Sequence, residues 1–315
     1  MSAFDVSVVI PLYNKQAFVR DMLASVLAQS LPAAEIIIVD DHSTDGSVAK
    51  IADLIGGRVR LVSQPNAGPG PARNRGVAEA SSAWIAFIDA DDRWQPNHLA
   101  TLAEVAAAFP GADVVGAGFC RIGADEAVPP ADDRAAAPQP LDYLRAARHG
   151  EALWTSAVAV RRHALQSSGG FGSVYPGEDL DLWIRLSLDH AMATSPRVTS
   201  LYLQRTGGLM DKAGELPPSP QPMFATIAAA LAEPRHAAHH ADLRALRDHH
   251  LRNGIKQSLY RGEPGSARLQ IAQCDRDGTP IPLLYRLLAL APAILLRAAL
   301  NAFKTARRSR ESANP

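Results

Sequence analysis

Cysteine is nearly missing from this chain: there are two among 315 residues, Cys120 and Cys274, far apart and in no CxxC or Cys/His spacing. That disfavours a structural zinc site and suits a reducing compartment. Net charge is missing too. Lys plus Arg and Asp plus Glu both number 32, so bulk charge predicts no nucleic-acid or polyanion partner and only local clusters are informative. The opening "MSAFDVSVVIPLYN" has no basic stretch, and its apolar run is too short for a signal sequence, so the expected location is the cytoplasm. No run of about 20 apolar residues is free of charge. The nearest approach, Ile281 to Arg310, is interrupted by Arg286 and Arg297. A glycine-rich loop after the first apolar run is also lacking. "PLYNKQ" stands where a dinucleotide fingerprint belongs, which argues against a Rossmann dehydrogenase and against a nucleotidyltransferase.

What is present is a folded chain, 47% hydrophobic and 20% charged. Apolar runs rich in Val and Ile alternate with helix-period stretches through the first 120 residues, the pattern of a parallel sheet with crossover helices. The spacing predicts strands at Val6 to Leu12, Glu35 to Asp40, Val59 to Ser63, Trp84 to Ile88 and Asp113 to Phe119. Helices are expected near Ala17 to Gln29, Ser47 to Leu54, Pro71 to Ala80 and Pro96 to Phe109. A Pro, Ala and Asp-rich loop from Gly123 to Pro140 follows, then a helix around Leu141 to Arg148, a strand near Trp154 to Val160, a helix from Glu178 to Asp189 and a strand near Thr199 to Gln204. Composition changes at "LPPSPQP", which divides the chain into an α/β region, 1–215, and a helical C-terminal region, 216–315.

The stretch "FIDADDRW" drives a buried strand into three carboxylates, Asp89, Asp91 and Asp92, which repel one another at neutral pH. In an open parallel sheet, ligands bind beyond the carboxyl ends of the strands, where Asp40 and Asp41 also lie. Carboxylate oxygens suit hard cations such as magnesium and manganese, so a divalent ion bridging a diphosphate would neutralise the cluster. The plainer alternative has Asp92 or Asp45 capping a following helix. Nearby, "PNAGPGPARNRG" supplies glycines that let backbone approach a ligand, followed by Arg73 and Arg75 near the start of a helix whose N-terminus favours anions.

Five blocks in order, "VSVVIPLYN", "EIIIVDDHSTDGS", "NAGPGPARNRGV", "WIAFIDADDRW" and "GEDLDLWIRL", resemble the signature of glycosyltransferase family 2, inverting nucleotide-sugar enzymes with the type A fold. The resemblance spans roughly Val6 to Arg205. It implies a type A glycosyltransferase fold with a C-terminal helical extension, a magnesium or manganese ion, a nucleotide-diphosphate sugar donor and a glycan or lipid-linked acceptor. Asp91 with Asp89 matches the metal-binding DxD element. Tyr13 and Asp41 match positions around base and ribose, with Pro11 and Asn14 in the same pocket. Asn66, Gly68 and Arg73 match the loop near the nucleotide, and Asn74 is expected to order it. In "GED", Asp179 matches the acid that removes the acceptor proton, and Glu178 is the neighbour that would raise its pKa. Trp183 shares a helix face with Asp179 and is a candidate floor for an acceptor sugar, the alternative being a core residue. Asp181 and Arg185 read as a solvated i,i+4 pair with no role. One departure stands out: "LYLQRTGGLMDK" lacks the histidine that family members often carry there, which leaves the third metal ligand in doubt.

Two further stretches remain. His236, His239, His240, His249 and His250 read as a polar helix surface, since no acid completes a ligand pattern. In the terminal segment, Arg286, Arg297, Lys304 and Arg308 fall within about 40° of one another at about 100° per residue, with a kink expected at Pro292. One basic stripe on an apolar cylinder suits peripheral contact with the inner face of a membrane. The rival from another class is a noncatalytic nucleotide-sugar or carbohydrate-binding module, against which retention of both acid pairs argues.

Overall fold

The computed structural model describes residues 4–132, 136–150, 152–204, 206, 221–276 and 278–292. In chain order the first half runs β1 (Val6–Leu12), α1 (Val19–Leu27), β2 (Glu35–Asp40), α2 (Ser47–Ile51), β3 (Val59–Ser63), α3 (Pro69–Glu79), β4 (Trp84–Phe87), β5 (Arg93–Trp94), α4 (His98–Ala108) and β6 (Ala112–Gly123). It continues with β7 (Gln139–Pro140), α5 (Tyr143–Ala146), β8 (Val158–Arg161), α6 (Arg162–Ser167), α7 (Glu178–Asp189), β9 (Ala191–Gln204), α8 (Met223–Ala232), α9 (His240–Tyr260), α10 (Pro264–Arg276) and α11 (Leu283–Leu290). The type A architecture expected from the sequence is present: one mixed sheet with helices on its faces.

Strand order is β3-β2-β1-β4-β8-β6-β9-β5, with β7 also on β9. The first four strands are parallel, as their continuous apolar runs predict. Val8, Val9, Ile10, Ile36, Ile37 and Ile38 are wholly buried, each worth about 1.5–3 kcal/mol of transfer free energy. Helix α3 lies tightly on β1, because a Cβ at Gly76 would stand 2.3 Å from Val9 Cγ1.

Two features depart from the sequence expectation. The fifth strand, β6, does not pair with β4; β8 inserts between them, antiparallel to both. Its buried run Val158 to Val160 carries no mark of direction, so only the tertiary fold sets it. Strand β9 is also longer than expected: it begins at Ala191 and runs through Pro196, whereas the sequence reading began it near Thr199. The sheet absorbs the proline in a bulge: Ser195 pairs with Ala117 and Val198 with Gly118, leaving Pro196 and Arg197 outside the register.

Contacts divide the chain into Met1–His236 and Ala237–Pro315, whereas the sequence reading placed its boundary at 215. Helix α8 belongs to the first unit, where Thr226 Oγ1 donates to Asp181 Oδ1 at 2.5 Å. In the second unit, α9 and α10 pack together, with Leu251, Ile255, Ala267 and Ile271 buried, and α11 presents Leu283, Leu284, Leu287 and Leu290 to solvent. Arg286, the first member of the expected basic stripe, pairs with Asp275 (3.0 Å), and helix α11 stops at Leu290, before Pro292. Arg297, Lys304 and Arg308 lie outside the described residues. Among the described residues, no helix is long and apolar enough to cross a membrane.

Candidate active site

The sheet changes winding direction between β1 and β4, with β2 and β3 on one side and β4 on the other, so a crevice opens at their carboxyl ends. On the β1–β2 side, Asn14 takes a left-handed φ of 50° and its Oδ1 accepts the N–H groups of Thr44 (2.8 Å) and Asp45 (3.3 Å). Asp45 in turn accepts from Ser47 N at the start of α2 (2.9 Å), although Gly46 and not Asp45 holds the N-cap position. Asp41 accepts Ala67 N–H (2.9 Å), Gly68 N–H (2.8 Å) and Gln64 Nε2 (2.8 Å), which fixes the glycine loop against β2. Gly68 has φ 92°, a conformation costly for any side chain. Tyr13 is 44% exposed and Asn66 is exposed, while Pro11 is half-buried within β1. The tertiary structure thus gathers Pro11, Tyr13, Asn14, Asp41, Asn66 and Gly68 at one edge.

Protein cations meet the acid knot. Lys15 Nζ contacts Asp91 Oδ2, and Thr206 Oγ1 donates to the same oxygen at 2.6 Å. Arg73 donates to Asp89 Oδ1 at 2.7 Å. Asp92, 1% exposed, caps nothing: it accepts Ser156 Oγ (2.6 Å), Trp154 Nε1 (2.9 Å) and Leu203 N–H (3.2 Å). Burial, then the charges of Asp89 and Asp91, push its pKa well above the ordinary carboxylate range. Asp92 is therefore a tie between the loop after β4 and strand β9.

Arg73, 4% exposed, reaches the second acid pair as well: its other terminal nitrogen donates to Glu178 Oε1 at 2.9 Å, and its guanidinium lies 5.1 Å from the Phe171 ring centroid. Burial raises the Glu178 pKa, Arg73 opposes that rise and Asp179 adds to it. Glu178 is 3% exposed, and its Oε2 has no partner among the described residues. Asp179 is half-buried; Oδ1 accepts Leu180 N–H (2.7 Å) and Oδ2 faces Thr155 Oγ1 at 3.4 Å. The two adjacent acids differ in surroundings: Glu178 is buried on Arg73, and Asp179 is half-buried against Thr155.

Asn74 orders the turn before α7 reciprocally, accepting Phe171 N–H and donating to Phe171 O, both at 2.8 Å. The structure corrects two readings nearby. Trp183 is 1% exposed and meets the Phe171 ring edge-on at 6.0 Å, so it is core and no floor for an acceptor. The apolar turn Gly170–Phe171 folds over that helix face, which spacing alone could not reveal. Asp181 is buried, and Arg185, besides pairing with it (3.0 Å), donates to Gly170 O at 2.7 Å; the pair clamps that turn.

The family profile described as "Glycosyl transferase family 2" matches residues 7–168, half of the chain and the whole of the crevice through β8. The chain belongs to this family. Among curated relatives, it is 45% identical over 102 residues to the uncharacterized glycosyltransferase YibD of Escherichia coli, covering 32% of this chain and 30% of that one. It is 42% identical over 103 residues to the succinoglycan biosynthesis protein ExoW of Rhizobium meliloti, covering 30% and 31%. The chain spans about a third of the length of these relatives. The crystal structure of S. aureus TarS 1–349 in complex with UDP-GlcNAc superposes with a TM-score of 0.68 and 19% identity, covering 98% of this chain and 92% of that one, which shows a shared fold.

The residues present fit the divalent ion that family 2 implies. Asp89 and Asp91 offer hard carboxylate oxygens at the crevice, and the ion pairs found fall on one oxygen of each, Oδ1 of Asp89 and Oδ2 of Asp91. In the segment where the resemblance led to a search for histidine, Thr206 touches Asp91 instead. Sequence reasoning missed Lys15, although it follows "YN" at a strand end, and missed Thr206, Trp154 and Ser156, which carry no local signal. Another group with ligand chemistry, Asp113, His163 and His190, lies at the opposite end of the sheet, where Arg161 Nε also approaches Asp113 at 3.5 Å. His236, expected on a polar surface, is buried.

Proposed function

We propose that this chain is a metal-dependent inverting glycosyltransferase that moves a sugar from a nucleotide-diphosphate donor to a hydroxyl of a glycan or lipid-linked acceptor. One observation carries the reading: Arg73 joins the Asp89 and Glu178 acid centres through 2.7 Å and 2.9 Å bonds, which supports a diphosphate side and a base side of a displacement arranged around one cation. When bound, a magnesium or manganese ion would supply Lewis-acid neutralisation of the departing diphosphate, with Asp91 and Asp89 to hold it. Asp179 takes the proton of the acceptor hydroxyl, whose oxygen forms the new bond to the anomeric carbon while the sugar–phosphate C–O bond breaks. The electron pair of that bond leaves with the diphosphate, and attack from the opposite face inverts the centre. Lys15 and Arg73 add fixed positive charge where the negative charge develops.

ExoW is named for succinoglycan biosynthesis, which favours a role in cell-surface polysaccharide assembly. TarS binds UDP-GlcNAc, so uridine donors come first in the test. Incubated with UDP-GlcNAc and other UDP-hexoses plus manganese, the protein should release UDP slowly without acceptor. Asp91→Asn and chelation by EDTA should each abolish that release. UDP release that EDTA leaves untouched would sink the metal dependence.

The exposed leucines of α11, followed in sequence by Arg297, Lys304, Arg307, Arg308 and Arg310, support peripheral attachment at the cytoplasmic face. The protein should sediment with phosphatidylglycerol vesicles at low salt and leave them at high salt. Equal recovery in the supernatant with phosphatidylglycerol and phosphatidylcholine would refute this.

A further inference from the structure

Beside the acid loop after β4 the sheet carries a partly exposed aromatic stack that the reaction above does not use. Of the four tryptophans, Trp84, Trp94 and Trp183 are 1%, 4% and 1% exposed, whereas Trp154 is part-exposed. Its indole lies 5.7 Å from Phe119 at 27° and 4.2 Å from Tyr202 at 37° between ring planes. Side chains alternate across a strand, so Phe119 shares its face with the Arg121–Tyr202 register pair, while Leu201, Ile122 and Leu203 pack on the other face. Arg121 lies 5.7 Å and 5.8 Å from the Phe119 and Tyr202 ring centroids, close enough to hold both rings by cation–π attraction.

Two bonds aim this stack at the chemistry. The Trp154 indole N–H donates to the buried Asp92, fixing the ring beside the acid loop after β4. The next residue, Thr155, faces Asp179 at 3.4 Å, and adjacent Cα atoms are about 3.8 Å apart, so the backbone that carries the ring passes beside the proposed base. The nucleotide-side residues Tyr13, Asn14 and Asp41 stand at β1 and β2, at the other end of the crevice.

We infer that Trp154, Phe119 and Tyr202 form the acceptor platform: a pyranose ring of the glycan acceptor lays its C–H face on the exposed aromatic surface, which presents a hydroxyl to Asp179. Flat aromatic faces match the apolar face of a sugar, and rings locked by packing and by the Asp92 bond lose little entropy on binding. The role that sequence spacing offered to Trp183 passes to Trp154. The inference rests on the glycosyltransferase reading for the reaction it serves, but saccharide binding is measurable without turnover.

The test is a titration of intrinsic tryptophan emission with cellotetraose, maltotetraose and mannotetraose, in which only Trp154 is placed to report contact. At least one should shift emission saturably. Tyr202→Ala and Phe119→Ala should weaken that binding about fivefold or more, and Tyr202→Phe, which keeps the ring, should restore it within about twofold. Melting curves of the variants separate lost stacking from lost fold. Emission unmoved by all three saccharides, or a folded Tyr202→Ala that binds like the parent, overturns the platform. UDP release by the unaltered protein is scored separately: release without saccharide binding refutes the platform and leaves the transferase standing, and binding without release supports the platform and tells against the transferase.

Discussion

Asp179→Asn is expected to lower the rate of sugar transfer about 10²–10⁴-fold, the range a positioned general base contributes. Asparagine keeps the shape of the side chain and can still accept the Leu180 N–H and face Thr155, so the fold and nucleotide binding should survive. What disappears is the capacity to take a proton. The deficit should therefore fall on kcat, with the nucleotide Kd within about threefold of the parent. Glu178→Gln makes the contrast: Glu178 already spends one oxygen on Arg73 and is buried, so its loss should show in the melting temperature as well as in rate. Single-turnover transfer and calorimetric nucleotide binding on the three proteins decide it. Asp179→Asn transferring within tenfold of the parent would remove Asp179 from the role of base.

The largest stability effect should come from Arg73→Leu. The guanidinium is buried, bonded to acids on two separate segments and packed on Phe171. Its removal leaves Glu178 charged in a desolvated place with no counter-charge, a change that costs about 3–5 kcal/mol. For a unit of this size, that corresponds to a melting temperature about 6–20 °C lower. Arg73→Lys should rescue little, because one ammonium cannot span both carboxylates with a planar fork. Glu178→Gln in the Arg73→Leu background should recover part of the loss, since it removes the stranded charge; double-mutant coupling of about 0.5–3 kcal/mol is expected. Additive effects of the two substitutions would mean that the pair does not interact in the folded protein.

Legibility in the sequence differed sharply between segments. Strands β1, β2 and β3 and helix α7 are found with the residue bounds that the apolar runs and the "GED" turn predict. For β1 and β2 local pattern sufficed because both faces of these central strands are covered, so burial and secondary structure give the same signal, whereas β3 is a partly buried edge strand. Strand β8 and the bulge in β9 were not legible, since pairing direction and the accommodation of Pro196 depend on neighbours more than 40 residues away in sequence.

By itself, the sequence determined the α/β class and the family, because these follow from the period of apolar runs and from ordered short motifs. Only the tertiary structure decided how the charges are spent. It put Lys15 on Asp91, ran Arg73 between Asp89 and Glu178, buried Trp183 and left Trp154 part-exposed and bonded to Asp92. The physical reason is range: a helix or strand is chosen by neighbours a few residues away, whereas an ion pair or an exposed ring depends on which distant segments the sheet order brings within about 4 Å.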